Sequence, residues 1–208
     1  AVSQVSTIFY CTYSSGFGFF THDTKVGAVF DTRHAPFDKH LTPQCIEAGL
    51  DPLQIVIAWC RANGTEGFGS MRMNEVQDGD YPPMVPRWKH EHTGLLMGSK
   101  TNKPTGLGDG RSWAGVDFAR EEVRDRAFRF IEEVCQGYDV DGIEMDFMRH
   151  LVYLKSRAWG GEVSRLELDK VSALVSRVRR MTEEEGLKRG KPILVAIRVP
   201  DSVDYCRS

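Results

Sequence analysis

Glu144 and Asp146 stand two residues apart in the run Tyr138-Asp139-Val140-Asp141-Gly142-Ile143-Glu144-Met145-Asp146-Phe147, an apolar, strand-like stretch that carries acids where packing alone would not want them. Successive strand side chains point to opposite faces. Ile143, Met145 and Phe147 therefore share one face, suited to lie under helices, and Gly142, Glu144 and Asp146 share the other. At about 3.3 Å rise per residue the two acidic Cα atoms are roughly 6.6 Å apart. Like charges this close in a poorly solvated place are costly unless function or basic neighbours offset them. The chemistry open to such a pair is carboxylate acid/base or nucleophilic work of the kind that glycosidic cleavage needs, in which one carboxyl protonates the leaving oxygen and another acts on the other side. A neighbouring carboxylate helps the first acid keep its proton near neutral pH.

Other polar residues fall where they can join this pair. Residues 67–74 read as a strand with Ser70, Arg72 and Asn74 on one face at its C-terminal end, and residues 192–199 as a strand with Leu194, Ala196 and Arg198 on one face. Arg72 and Arg198 are expected to point into the same cavity and to hold either the two acids or a sugar or uronate carboxylate through the guanidinium fork. Asn74 offers amide donors and an acceptor to sugar hydroxyls. Asp78, in Asp78-Gly79-Asp80, is a weaker candidate because that tripeptide is also an ordinary turn. Trp88 is a candidate for stacking on a pyranose ring, whereas Trp159 reads as packing. Tyr10, at the end of the first strand, is a candidate for the cleft floor. His90 and His92 are two apart instead of at the i, i+4 spacing of a helical zinc pair, so no metal is expected.

The elements that must position these residues alternate. Residues 5–12 read as a strand, followed by a long loop over 13–41, a helix with Thr42-Pro43 at its start, and a second helix after Asp51-Pro52 that stops at Asn63-Gly64. After the strand at 67–74 comes an irregular stretch over 75–112, too long for a mere connection and expected to be a lid or binding loop. A short strand at 113–118, a helix at 120–135, the acidic strand, a helix from the Ser164/Glu167 capping box to Gly186, and the strand at 192–199 complete the order. This is the rhythm of parallel βα units. Neither G-x-G-x-x-G nor G-x-x-x-x-G-K-[ST] occurs, so the nucleotide cradles of open sheets are missing and no cofactor is expected. Polar residues at the C-terminal ends of several strands instead suit a (β/α)8 TIM-type barrel, of which about five strands are expected in these 208 residues, as one incomplete catalytic domain over 1–208.

Bulk properties narrow the partners. With 27 Lys plus Arg against 29 Asp plus Glu, and a formal charge of -2, nothing points to nucleic acid or to an anionic membrane surface. No run reaches the length of a membrane span and no signal-peptide order is visible, so a soluble protein is expected. Cys11, Cys45, Cys60, Cys135 and Cys206 are odd in number and widely spaced, which favours buried free thiols over a disulfide framework.

Glu121-Glu122-Val123-Arg124-Asp125 leading into Tyr138-Asp139-Val140-Asp141-Gly142-Ile143-Glu144-Met145-Asp146 resembles the pattern of glycoside hydrolase-like family 10 proteins, and Ser70-Met71-Arg72-Met73-Asn74 with Trp88-Lys89-His90-Glu91-His92 looks like a related branch of glycosyl hydrolases. The resemblance implies a TIM barrel with a carbohydrate cleft at the strand C-termini, in which Glu144 and Asp146 occupy the fourth-strand acid positions. That branch often shows His-Asp after the arginine and asparagine strand, where this chain has Gln77-Asp78. The reading is a glycoside hydrolase acting on a poly- or oligosaccharide. Its rivals are a non-catalytic carbohydrate-binding barrel and a Mg²⁺-dependent lyase or hydrolase.

Overall fold

In the computed structural model, which describes residues 4–31, 39–106 and 111–202, a four-stranded parallel sheet forms the frame of the molecule. Its strands are β1 (Thr7–Cys11), β5 (Glu66–Arg72), β6 (Gly142–Asp146) and β7 (Leu194–Arg198), side by side in chain order. Three short strands intervene: β2 (Tyr13–Ser15), β3 (Phe19–Phe20) and β4 (Ala28–Val29) make a small second sheet within the stretch expected to be loop. Runs of two or three residues are too short to show a period. The fold is mixed α/β. The order lacks the reversal of a doubly wound sheet.

Helices α1 (Thr42–Glu47), α2 (Pro52–Ala62), α3 (Arg87–Glu91), α4 (Glu121–Gly137), α5 (Lys155–Ala158) and α6 (Arg165–Arg189) complete the described elements. Asp51 caps α2 by accepting from the Leu53 and Gln54 amides at 2.9 and 3.3 Å, with Pro52 at the first helical position. Thr42 does not cap α1; it is already helical, and Leu41 precedes it without a side-chain bond. The Ser164/Glu167 capping box opens α6, which continues past Gly186 to a left-handed Gly190 at φ 67°. Gly186 is no stop because the returning chain crosses it: a Cβ there would meet the Lys191 carbonyl at 3.1 Å.

Close approach of helices to one sheet face is written in two glycines. A Cβ on Gly67 would strike Ile57 of α2 at 2.7 Å, and one on Gly69 would strike Val134 of α4 at 2.9 Å. On that face Met71, Ile143 and Met145 join Val123, Ala127, Ile131 and Val134 of α4 and Leu174 and Val178 of α6 in the main core. On the other face Phe9, Phe68, Gly142 and Leu194 lie in one row, and the Phe68 ring fills the space over Gly142. No described helix is long and apolar enough to cross a membrane.

The expected strand at 113–118 does not form. A 3-10 turn at Ser112–Ala114 is followed by a single bridge between Leu96 and Val116. The Asn74 side chain takes the place of a neighbouring strand: its Oδ1 accepts from the Val116 amide at 3.2 Å and its Nδ2 donates to the Val116 carbonyl at 3.0 Å. The cysteines divide as well. Cys60 and Cys135 are buried thiols, with burial pushing Cys135 up to about 12, but Cys11 is exposed and Cys206 lies outside the described residues.

Glu133 of α4 fastens the small sheet to this frame. Its carboxylate, 14% exposed, accepts from Thr24 Oγ1 at 2.6 Å, from the Val26 amide at 3.1 Å and from the Lys25 amide, with His22 Nε2 at 3.4 Å. Burial alone would raise its pKa, yet these donors hold it at about 2. Folded Glu133 thus binds its proton more weakly than the unfolded chain does, so its stabilisation is full above the ordinary carboxyl value of 4.5 and drains as pH falls toward about 2. Glu133→Gln should lower stability at neutral pH and flatten the loss between pH 4.5 and 2, as read from urea midpoints across that range; an unchanged slope would show that the acid does not anchor the sheet.

Candidate functional site

Register decides which side chains meet. Ser70, Glu144 and Ala196 are lateral neighbours across β5, β6 and β7, and one step further along Arg72, Asp146 and Arg198 form the next row. All six lie on the face that α2 and α4 leave free, at the C-terminal ends of three adjacent strands. Glu144 and Asp146 are 4% and 5% exposed. Arg198, with its side chain 48% exposed, reaches inward: Nη2 is 2.9 Å from Glu144 Oε1 and Nη1 is 3.7 Å from Asp146 Oδ2. The Ser70 hydroxyl donates to Glu144 Oε2. Asp146 Oδ1 accepts from the Met148 and Arg149 amides at 2.9 and 3.2 Å, which turns the chain sharply after β6. Two carboxylates thus coexist because a guanidinium, a hydroxyl and two amides offset their repulsion.

Arg72 shares that face but turns to a different acid. Its Nη1 lies 3.1 Å from Oε2 of Glu75, a fully buried residue just past the end of β5. His150 Nε2 stands 2.9 Å from the other Glu75 oxygen, although its N–H is not aimed in line with it. Burial would raise the Glu75 carboxyl, but the His150 contact, the Gln77 amide and the Arg72 charge hold it at about 2. Sequence reasoning passed over both residues. Alternation put Asn74 in the active face, whereas β5 ends at Arg72 and the parity breaks there.

Four expected ligand-binding residues are placed elsewhere. Asn74 is fully buried, and besides Val116 its amide donates to the Val152 carbonyl and accepts from the Glu75 amide at 3.0 Å, so nothing is left for a sugar. Asp78 is buried against Lys89, whose ammonium is 2.7 Å from Asp78 Oδ2 and also donates to the Ala114 and Glu75 carbonyls at 2.6 and 3.2 Å. Tyr10 pairs laterally with Gly69 and packs into the core, on the face opposite Glu144. Trp88 packs on Phe17 at 5.7 Å and stacks on His92 at 4.8 Å, with the Arg126 guanidinium 4.6 Å from its ring. Trp159 is 36% exposed and donates its indole N–H to the Met97 carbonyl at 2.8 Å.

The long stretch over 75–112 is tied down through its described residues. Lys155 Nζ donates to the Leu96 carbonyl at 3.1 Å and the Gly106 amide to the Ala158 carbonyl at 2.8 Å. Among the described residues no group of three or more His, Cys, Asp or Glu side chains is arranged to hold a metal ion. Two cavities, of 280 and 620 Å³, run along α6 and β7 on the helix side, and neither is lined by Glu144 or Asp146.

No protein-family model and no curated protein sequence matches the chain. Parts of solved structures align with it. An α-L-fucosidase isoenzyme 2 from Paenibacillus thiaminolyticus aligns over 92% of this chain and 27% of its own, at 14% identity and a TM-score of 0.50. A GH36 α-galactosidase from Geobacillus stearothermophilus aligns over 85% of this chain and 21% of its own, at 12% identity and a TM-score of 0.43. The galactosidase domain of an α-galactosidase-sucrose kinase aligns over 71% and 18%, at 15% identity and a TM-score of 0.46. The chain therefore spans about a quarter or less of these relatives. The fucosidase likeness shows a shared backbone arrangement, a parallel sheet flanked by helices.

Proposed function

We propose that the protein is a glycoside hydrolase that cleaves a poly- or oligosaccharide through carboxylate chemistry at the C-terminal ends of β5, β6 and β7. The observation that carries this reading is the paired rows Ser70–Glu144 and Arg72–Asp146–Arg198 on the helix-free face. Charged and polar side chains gathered at the C-terminal ends of adjacent parallel strands are where barrel enzymes keep their chemistry. Glu144 takes the role of the reacting carboxylate, Asp146 assists it, and Arg198 is the gate: as the most exposed member, its guanidinium must give up a bond to a sugar hydroxyl as substrate enters. The Mg²⁺-dependent reading is less well supported because that guanidinium already serves both acids as their shared cation.

The same proposal includes the frame. Sequential strand order, helices on one face and unpaired outer edges at β1 and β7 suit a (β/α)8 barrel completed by further strands of one catalytic domain. Exposed Leu194, Ile197 and Val199 beside the β7 edge are the surface such strands would cover.

The test is a panel of oligosaccharides and aryl glycosides, including α-galactosides and α-L-fucosides, assayed with the full chain for released reducing ends. Turnover of at least one sugar class is expected. A glycan that binds by calorimetry and is never cut would replace hydrolysis by carbohydrate binding alone.

A further inference from the structure

Resting on the glycosidase reading, one question remains open at this site: cleavage needs a proton for the leaving oxygen as well as an anion for the sugar. The oxygens of both β6 acids are already engaged. Glu144 meets Arg198 on one oxygen and the Ser70 hydroxyl on the other, and Asp146 meets two amides and Arg198.

A different ionisable group follows the same strand. His150 comes after the turn that Asp146 caps, its side chain is 11% exposed, and Glu75 sits 2.9 Å from Nε2. Arg72, the strand neighbour of Asp146, holds the other oxygen of Glu75. The histidine is thus held against a buried carboxylate whose other oxygen a guanidinium braces.

We infer that His150 is the proton donor of this site, a catalytic residue oriented by Glu75 as a positioning residue. The imidazolium gives its proton, from the ring nitrogen not turned to Glu75, to the glycosidic oxygen as the bond from that oxygen to the anomeric carbon breaks. The electron pair of the broken bond stays on the leaving oxygen, which departs as a hydroxyl, while a Glu144 oxygen bonds to the anomeric carbon. In the second step the neutral imidazole takes a proton from water as the water oxygen bonds to the anomeric carbon, and the sugar–Glu144 bond breaks with its electron pair returning to the carboxylate.

Leaving groups provide the test. Using a sugar that the panel identifies, wild type, His150→Gln, His150→Asn and Glu75→Gln are compared on a 2,4-dinitrophenyl glycoside, whose leaving group needs no proton, and on a disaccharide, whose leaving group does. In kcat/KM, which reads the first step, both His150 variants should lose about 100-fold or more on the disaccharide and less than about threefold on the dinitrophenyl glycoside. Glu75→Gln should show the same selectivity to a smaller degree. Retained cleavage of the activated substrate also reports an intact fold. Equal losses on the two substrates in both His150 variants, or no loss on either, would overturn the assignment of His150 and leave the glycosidase reading standing. A wild type that cleaves neither substrate would remove that reading and this inference together.

Discussion

Glu144→Gln is expected to reduce turnover of any glycan substrate by a factor of about 1000 or more while leaving the melting temperature within a few degrees of wild type. The amide keeps the size of the acid and can still accept from the Ser70 hydroxyl, so packing on the buried face of β6 is preserved. What disappears is the charge. Arg198 then loses one partner, but its side chain is about half exposed and keeps Asp146, so water takes up the released guanidinium at little cost. A loss of stability comparable to the loss of rate would mean that the carboxylate holds the strands together, and wild-type turnover would remove it from the chemistry. Unlike the His150 variants, this one should be equally impaired on activated and unactivated substrates.

The second large effect belongs to Lys89. Lys89→Met should destabilise the protein by about 3–5 kcal/mol, because it leaves the Asp78 carboxyl buried without its cation and withdraws donors from the Ala114 and Glu75 carbonyls. Against a typical total of about 5–15 kcal/mol such a loss brings the chain close to unfolding. Burial works against both charges of this pair, pushing the Asp78 carboxyl up and the Lys89 ammonium down, and their proximity, with the Glu75 charge near Lys89, opposes it. Adding Asp78→Leu to Lys89→Met should therefore restore at least half of the loss, as apolar replacements of buried ion pairs do. Denaturant melts of the two single variants and the double variant measure this. Additive losses would show that the pair is not one energetic unit, and the reading of Asp78 as part of an internal brace would fall.

The legible part of this molecule was the part with a period. Alternation over 142–147 placed Glu144 and Asp146 on one face and Ile143 and Met145 on the other, and the same parity in β5 and β7 brought Arg72 and Arg198 into line with them. Parity fails where a strand stops. Asn74 continues the even-numbered series of Ser70 and Arg72, but the strand has ended, and its amide serves the main chain of Val116 and Val152 instead. Tyr10 failed for another reason: the face of an isolated strand is known only relative to its neighbour, and the pairing of Tyr10 with Gly69 turns it under the helices. Glu75 and His150 lie 75 residues apart in loops without periodicity, so only the folded chain brings them together. The small sheet rests on contacts from Glu133, more than 100 residues distant from its partners, which no local pattern announces.

The bonds joining residues 95–106 and 116–118 to residues 152–159, with Asn74 at their centre, make a collar from segments that sequence alone would cast as independent flaps. No flap in that collar can lift without breaking several buried contacts with the next. On the glycosidase reading, the Arg198 side chain and not this collar is what a sugar reaching the strand tips must displace, and binding should follow a single kinetic phase.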